Sequence, residues 1–179
     1  MAIVAVLLVG TQMSFAAVQQ AGPHEEQNGA QIQREKMKAL NFLVGTWSGP
    51  ATIHGRNGVL KTTQTEDVTS LLDGMLLTVH GVSRDASGKI VFEAFATISY
   101  DEADGRYHFR AYNGGHYLDT ELTVVDKGFS WSMETVPHIT ISNDMKLTPA
   151  EEWQETSTLH VPGREPMTTV QMQLKHVSK

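Results

Sequence analysis

The sequence predicts an all-β protein, an up-and-down β-barrel of about ten antiparallel strands with a short N-terminal helix. Turn-forming residues recur at short intervals from residue 44 onward and leave no room for helices between them. The segments between the turns alternate apolar and polar residues, which is typical of strands with one buried face. Sequential hairpins favour a closed barrel, because closure removes both edge strands.

The turns are marked by clusters of Gly, Asn, Asp and Pro. They lie at residues 55–58, 73–74, 85–88, 101–105, 113–115, 126–128, 137, 149 and 162–166. The strands predicted between them span residues 44–54, 59–72, 75–83, 89–100, 106–112, 116–125, 129–135, 138–146, 151–160 and 167–177.

Composition limits the classes of protein that need to be considered. The chain has 179 residues, of which 40% are hydrophobic, so it suits one globular domain with its own core. The formal net charge of -6 argues against a nucleic-acid partner, which needs a basic face. The absence of cysteine excludes thiolate nucleophiles and cysteine-based metal sites. We expect no metal centre, because the histidines lie singly, at or near strand ends or in the N-terminal spacer.

The N-terminus predicts export to the periplasm or the extracellular space. Ile3 to Val9 is an apolar run of signal-peptide length, too short to span a bilayer, and Ala16 and Ala17 offer small residues for cleavage. We therefore predict a signal peptide over residues 1–17 and no stable membrane span. The run lacks a preceding Lys or Arg, which leaves open a translation start upstream of Met1 or, instead, a buried N-terminal strand or helix.

A spacer and a helix are predicted between the signal peptide and the first strand. Residues 18–29 are rich in Gln, Glu, Gly and Pro and have no apolar periodicity, so they predict a flexible spacer. From Ala30 to Asn41 the apolar residues recur at helical spacing. The barrel domain is accordingly predicted over residues 30–179, with this short helix covering one end.

Gly45 and Trp47 open the first strand and predict how one end of the barrel is closed. A Trp at the entry of such a barrel can lie across the end as a plug, while Gly lets neighbouring backbone approach. We therefore assign both residues a structural role.

The fourth strand predicts a hollow interior. Its alternate residues from Ile90 to Tyr100 form one apolar face that includes the small residues Ala94 and Ala96. A barrel of this size either fills with bulky side chains or keeps a cavity. Together with Ala51 on the first strand, these alanines favour a cavity that holds a ligand.

The opening Phe-Leu-Val-Gly-Thr-Trp-Ser-Gly of residues 42–49, the helix before it and the series of hairpins resemble the calycin superfamily of lipocalin-like barrels. Within it, the chain looks most like exported bacterial domains of unknown function related to nitrobindin-type haem-binding barrels. The resemblance implies a small hydrophobic ligand in a central cavity, with haem as the nitrobindin case. Nitrobindin-type openings continue with further glycines and Tyr-Pro-Thr-Ile, whereas Pro50-Ala51-Thr52-Ile53 follows here. We therefore expect no haem, and we assign the late histidine, His176, a solvated or capping role.

Candidate ligand-binding residues lie on the fourth and fifth strands. Arg106, His108 and Arg110 share one face of the fifth strand, opposite Tyr107, Phe109 and Ala111. The basic face either points outward or supplies an inward polar anchor, since Arg is seldom buried without a partner. For the second case, the predicted set is Arg110, Tyr112, His108, Ala94 and Ala96, with Arg110 binding an anionic group and Tyr112 donating a hydrogen bond.

Catalytic signatures are weak. A carboxylate pair for acid–base catalysis needs two glutamates on the inner wall. Glu155 shares the face of Trp153, but Glu134 lies opposite Trp131, so only one is expected there. We found no catalytic elbow, phosphate loop or zinc motif, and we assign no catalytic residues.

The sequence thus predicts a monomeric or weakly dimeric barrel that binds a small hydrophobic molecule. Three alternatives remain at this stage. They are a haem-binding barrel, a cavity enzyme acting on a lipophilic substrate through His108, Arg110 and a Glu, and an envelope interaction protein with a filled core.

Overall fold

The computed structural model describes residues 23–55 and 58–178. Helix α1 spans Pro23–Met37 and runs directly into a 3-10 helix over Lys38–Leu43. The helix therefore begins earlier than predicted, and residues 23–29 of the expected flexible spacer belong to it. Proline suits a helix start because its missing N–H would have no partner there. The predicted signal peptide lies outside the described residues.

Ten strands follow the helices, and each predicted strand agrees with the structure to within two residues at either end. Their bounds are β1 Gly45–Gly55, β2 Gly58–Leu71, β3 Leu76–Arg84, β4 Ile90–Asp101, β5 Arg106–Asn113, β6 His116–Val125, β7 Gly128–Val136, β8 Ile139–Leu147, β9 Trp153–His160 and β10 Met167–Ser178.

The strands form one closed antiparallel barrel in which each strand pairs with its neighbours in sequence and β1 pairs with β10. This confirms the all-β up-and-down barrel. The strand pairing of the barrel is shortest between β6 and β7. These strands pair at only three positions, from Thr123 with Ser130 to Val125 with Gly128. Beyond them, the Thr120 hydroxyl donates to the Ser132 carbonyl at 2.9 Å across the gap.

Closure between β1 and β10 depends on Gly49. A Cβ at this position would collide with the backbone carbonyl of Gln173 on β10. The two strands keep one register on either side of it, from Ser48 with Lys175 to Ala51 with Met172. The second glycine of the opening motif therefore allows the first and last strands to approach.

The helices cover one end of the barrel, and the best-packed part of the core lies beneath them. Met37, Leu40 and Leu43 are fully buried, and Tyr107 at the start of β5 donates its hydroxyl to the Lys36 carbonyl at 2.8 Å. Within the described residues, no helix is both long enough and apolar enough to cross a membrane.

Trp47 lies at this covered end and is 2% exposed. Its indole N–H donates to the Leu43 carbonyl at 2.7 Å, and its ring meets those of Trp153 and His176 edge-on, with centroids 5.8 and 4.4 Å away. Edge-to-face aromatic packing of this kind stabilises a core beyond simple burial. Trp47 is thus placed where a plug would lie.

Candidate functional site

The interior of the barrel holds a cavity of about 370 Å³ above this core. Leu43 and Trp153 contribute to its lining near the covered end, and Phe92, Asn113 and His116 contribute from strand ends at the opposite end. Most of the lining side chains are apolar or aromatic. The volume lies in the usual range for small-molecule sites.

Small residues create the space. Gly81 on β3 pairs with Ala94 on β4, and Ala96 on β4 pairs with Ala111 on β5, so small side chains lie side by side on three adjacent strands. Because cross-strand partners share a face of the sheet, together they leave room that larger residues would fill. The sequence prediction that Ala94 and Ala96 face the interior agrees with their position in the cavity lining.

Aromatic rings form another large part of the cavity lining. Phe109 on β5 stacks on Trp131 on β7 with centroids 5.6 Å apart, and Phe129 meets Trp153 edge-on at 6.3 Å. All four rings line the cavity. Such rings offer large apolar surfaces and electron-rich faces to a bound molecule.

Glu66 on β2 is the first of two carboxyl groups in this apolar interior. It is 8% exposed and lies opposite Trp47 on β1 and Gly81 on β3. Its Oε1 accepts a hydrogen bond from Gln64 Nε2 at 2.6 Å, and Ser83 donates in turn to Gln64 Oε1. Polar residues of β2 and β3 therefore form a connected network that fixes the Glu66 carboxyl in the cavity wall.

Glu155 on β9 is the second carboxyl group. Its Oε1 accepts from Asn143 Nδ2 and its Oε2 accepts from Trp153 Nε1, each at 2.7 Å. Ser157 donates to Asn143 Oδ1 at 2.8 Å and so orients that amide. Both oxygens of Glu155 are thus held by N–H donors.

Burial is the main influence on the pKa of both carboxyl groups. It raises the pKa of Glu66 to about 8, with the negative charge of Glu155 as the second cause, while the Gln64 hydrogen bond acts in the opposite direction. Burial also raises the pKa of Glu155, against the effect of the donors Asn143 and Trp153. Perturbed carboxyl groups in a cavity are a common mark of a functional site.

The predicted polar anchors lie outside the cavity, and their assignment to it was wrong. Arg110 is exposed and pairs with Asp119, and Tyr112 is 45% exposed on the same outer face. His108 pairs with Asp104 at 2.8 Å. The alternate residues of β5, Phe109 and Ala111, occupy the interior instead, because burying them avoids desolvating a guanidinium.

His108 also belongs to a cluster on the outside of the barrel. Ligand-type atoms of Asp101, Asp104 and His108 lie within 4.8 Å of one another around the turn between β4 and β5. Both aspartates are exposed, and the turn lies at the covered end, away from the cavity. The His108–Asp104 ion pair accounts for part of this arrangement.

The haem alternative does not fit the position of the late histidine. His176 packs against Trp47, and its Nε2 lies 3.3 Å from the Val44 carbonyl oxygen. It is half-buried at the covered end and is not part of the cavity lining. An axial ligand would have to project into the cavity, and His176 does not.

Of the glutamates on β6, β7 and β9, only Glu155 lines the cavity. Glu121 is exposed and pairs with Arg106, and Glu134 is exposed and accepts a hydrogen bond from the His138 backbone N–H. Sequence reasoning missed Glu66. The interior therefore holds the two carboxyl groups that an acid–base pair would require, although the sequence had predicted one.

Comparison with known proteins supports the architecture. The sequence matches no protein-family model and no curated protein. The crystal structure of Rv2717c from M. tuberculosis resembles this barrel with a TM-score of 0.59 and 11% sequence identity, over 78% of this chain and 96% of that one. At this identity the likeness concerns the fold. It supports the closed ten-stranded antiparallel barrel seen here.

Proposed function

We propose that this protein binds a small, mainly apolar molecule in the central cavity of the barrel. The observation that carries the proposal is the cavity of about 370 Å³, which is lined mainly by aromatic and aliphatic side chains and is widened by Gly81, Ala94, Ala96 and Ala111. Protein interiors are normally close-packed, so space of this size is expected to have a use. The predicted export would place the ligand outside the cytoplasm.

The test is to fill the cavity and measure binding of a neutral phenylnaphthylamine fluorophore. Ala96→Leu extends a side chain into the cavity, whereas Thr97→Leu enlarges the next residue of β4, which lies outside the cavity lining. We expect Ala96→Leu to weaken binding at least tenfold and Thr97→Leu to leave it within twofold. Equal affinity of both variants and the wild type would contradict the proposal.

A second candidate is acid–base catalysis on the bound molecule. The observation that favours it is the presence of two interior carboxyl groups in different hydrogen-bonding environments, since such pairs can divide the roles of acid and base. Proton exchange next to the carbonyl of a small apolar ketone, followed by mass spectrometry in heavy water, tests it. Exchange that Glu66→Gln and Glu155→Gln both abolish would establish this activity.

The finer relationship to exported nitrobindin-type barrels stays a prediction of the opening motif. The proposed cavity ligand is independent of that relationship. A ligand other than haem is proposed because the late histidine, His176, lies outside the cavity lining, whereas Glu66 and Glu155 belong to it.

A further inference from the structure

The carboxyl groups of the cavity lack a basic partner in the part of the chain that the structure describes. Neither Glu66 nor Glu155 takes part in a salt bridge there, and the cavity lining contains no Lys or Arg. Its histidine, His116, lies at the start of β6, at the end of the cavity opposite the covered one. A buried carboxylate is normally paired with a cation, because an isolated charge is expensive to remove from water. The cavity thus holds two carboxyl groups without the Lys or Arg that would balance them when ionised.

The two glutamates differ in which protonation state their neighbours favour. Glu155 accepts two N–H hydrogen bonds, from Asn143 and Trp153, which stabilise the ionised form. Glu66 accepts one, from Gln64. Burial raises the pKa of both groups, and a cation bound in the cavity would favour their ionised forms, so a proton held there is released when the cation arrives.

Glu66 also has an oxygen left for a ligand. Across residues 23–55 and 58–178, Oε1 receives the bond from Gln64 and no hydrogen bond reaches Oε2. The side chain is nine-tenths buried yet belongs to the cavity lining. The absent side chain of Gly81 leaves the space in which this carboxyl lies. Within the described residues, the fold thus leaves Glu66 Oε2 at the cavity without a hydrogen-bond donor.

The rest of the lining suits the remainder of such a ligand. Phe109, Trp131 and Trp153 present aromatic surface in the same cavity as the two glutamates. Aromatic faces attract cations and also bury alkyl or aryl groups. An anionic group would instead oppose ionisation of the two carboxyl groups, because like charges repel strongly in a medium of low dielectric constant.

We propose that the cavity selects a cationic amphiphile, an apolar molecule whose protonated amine binds the carboxyl groups of Glu66 and Glu155. An ammonium group has three donors and no acceptor, which matches a pair of carboxyl groups. This inference rests on the proposed function, because it names the ligand class for the same cavity. It replaces the anionic ligand that an inward Arg110 would have bound.

The experiment compares octylammonium, octanol and octanoate by titration calorimetry near neutral pH. The three probes share one apolar chain and differ in headgroup charge, so their relative affinities isolate the effect of that charge. We expect octylammonium to bind at least tenfold more tightly than octanol, and octanoate to bind most weakly. Glu66→Gln removes an ionisable group with little change in shape and is expected to abolish the preference for octylammonium while keeping octanol affinity within about twofold.

Glu121→Gln is the matched control, because it makes the same substitution on the outer face of the barrel. It should leave the preference intact. Octanol binding as tightly as octylammonium to the wild type would overturn the inference but leave the proposed function standing. Preferential binding of octanoate, or an unchanged preference in both Glu66→Gln and Glu155→Gln, would likewise overturn it. Failure of all three probes to bind would count against the inference and the proposed function together.

Discussion

Glu66 and Gly81 lie directly opposite each other on β2 and β3, and a Cβ built on Gly81 would come within 2.7 and 2.8 Å of the two Glu66 carboxyl oxygens. These distances are shorter than side-chain contacts allow. The atoms in question are the far end of a flexible side chain, so the carboxyl group, not the strand, would move. The relationship makes Gly81 part of the site although it carries no functional group.

Gly81→Ala is therefore expected to displace the Glu66 carboxyl and break its hydrogen bond with Gln64. The barrel should still fold. Its free energy of unfolding should decrease by about 1 to 3 kcal/mol, the range for modest overpacking. The preference for octylammonium over octanol should fall severalfold. Calorimetric titration of the variant measures this preference directly.

The control is a double-mutant cycle. Glu66→Gln alone is expected to abolish the preference for octylammonium over octanol. Adding Gly81→Ala to this variant should therefore produce no further loss. A Gly81→Ala protein that keeps the wild-type preference would show that the position of the Glu66 carboxyl does not matter for binding.

Stability should decrease as the pH rises from about 5 to about 8. The folded-state pKa of Glu66, about 8, lies above its ordinary value of 4.5, so the folded protein holds more protons than the unfolded chain between these values. The free energy of unfolding must then fall with increasing pH across this window and level off above it. Each pKa unit corresponds to about 1.4 kcal/mol, so the loss should amount to several kcal/mol.

Urea denaturation of the wild type and of Glu66→Gln at both ends of this range tests the assignment. The variant should lose much less stability than the wild type, although Glu155, whose pKa is also raised, contributes in the same direction. Glu121→Gln, at an exposed position, should behave like the wild type. Parallel pH profiles for wild type and Glu66→Gln would mean that Glu66 titrates normally.

Processing of the N-terminus is a separate prediction. If the apolar run at residues 3–9 is a signal peptide, the mature protein should begin near Ala17 or Val18. The intact mass of protein recovered from the periplasm or the medium measures this. Exported material that retains residues 1–16 would contradict the predicted cleavage.

Local patterns were sufficient for the strands and for the alanines of the cavity. Turn residues act over a few positions, and the apolar face of β4 is unambiguous, so the strand bounds and the inward direction of Ala94 and Ala96 follow from short-range chemistry. The start of α1 was missed because its first residues lack apolar periodicity. The helix also makes contacts with residues distant in sequence, such as the hydrogen bond from Gln33 to the Met75 carbonyl at 3.1 Å. Helical periodicity does not reveal such contacts.

Prediction of the polar residues of the site from the sequence requires the pairing register of the strands. β5 offers a basic face and an aromatic face, and only packing decides which one is inward. β2 has polar residues on both faces, so alternation alone could not single out Glu66. The hairpin does so, because pairing of Gly55 with Gly58 places Glu66 opposite Trp47, and cross-strand partners share a face. The predicted turn at residues 55–58 sets this register, so Glu66 could have been identified from the sequence.

Trp47→Ala is expected to lower the free energy of unfolding by about 3 to 5 kcal/mol, the range for large-to-small changes in a core. Trp47 is 2% exposed, packs against Trp153 and His176, and donates to the Leu43 carbonyl, so the variant loses ring contacts and a buried hydrogen bond together. Trp47→Phe separates the two effects, because it keeps an aromatic ring and loses the donor, which should cost about 1 kcal/mol beyond repacking. Val177→Ala, at a position 60% exposed near the same end, serves as the control and should change stability by less than about 0.5 kcal/mol. Urea denaturation gives all three values. A loss below about 1 kcal/mol for Trp47→Ala would mean that this ring does not hold the covered end together.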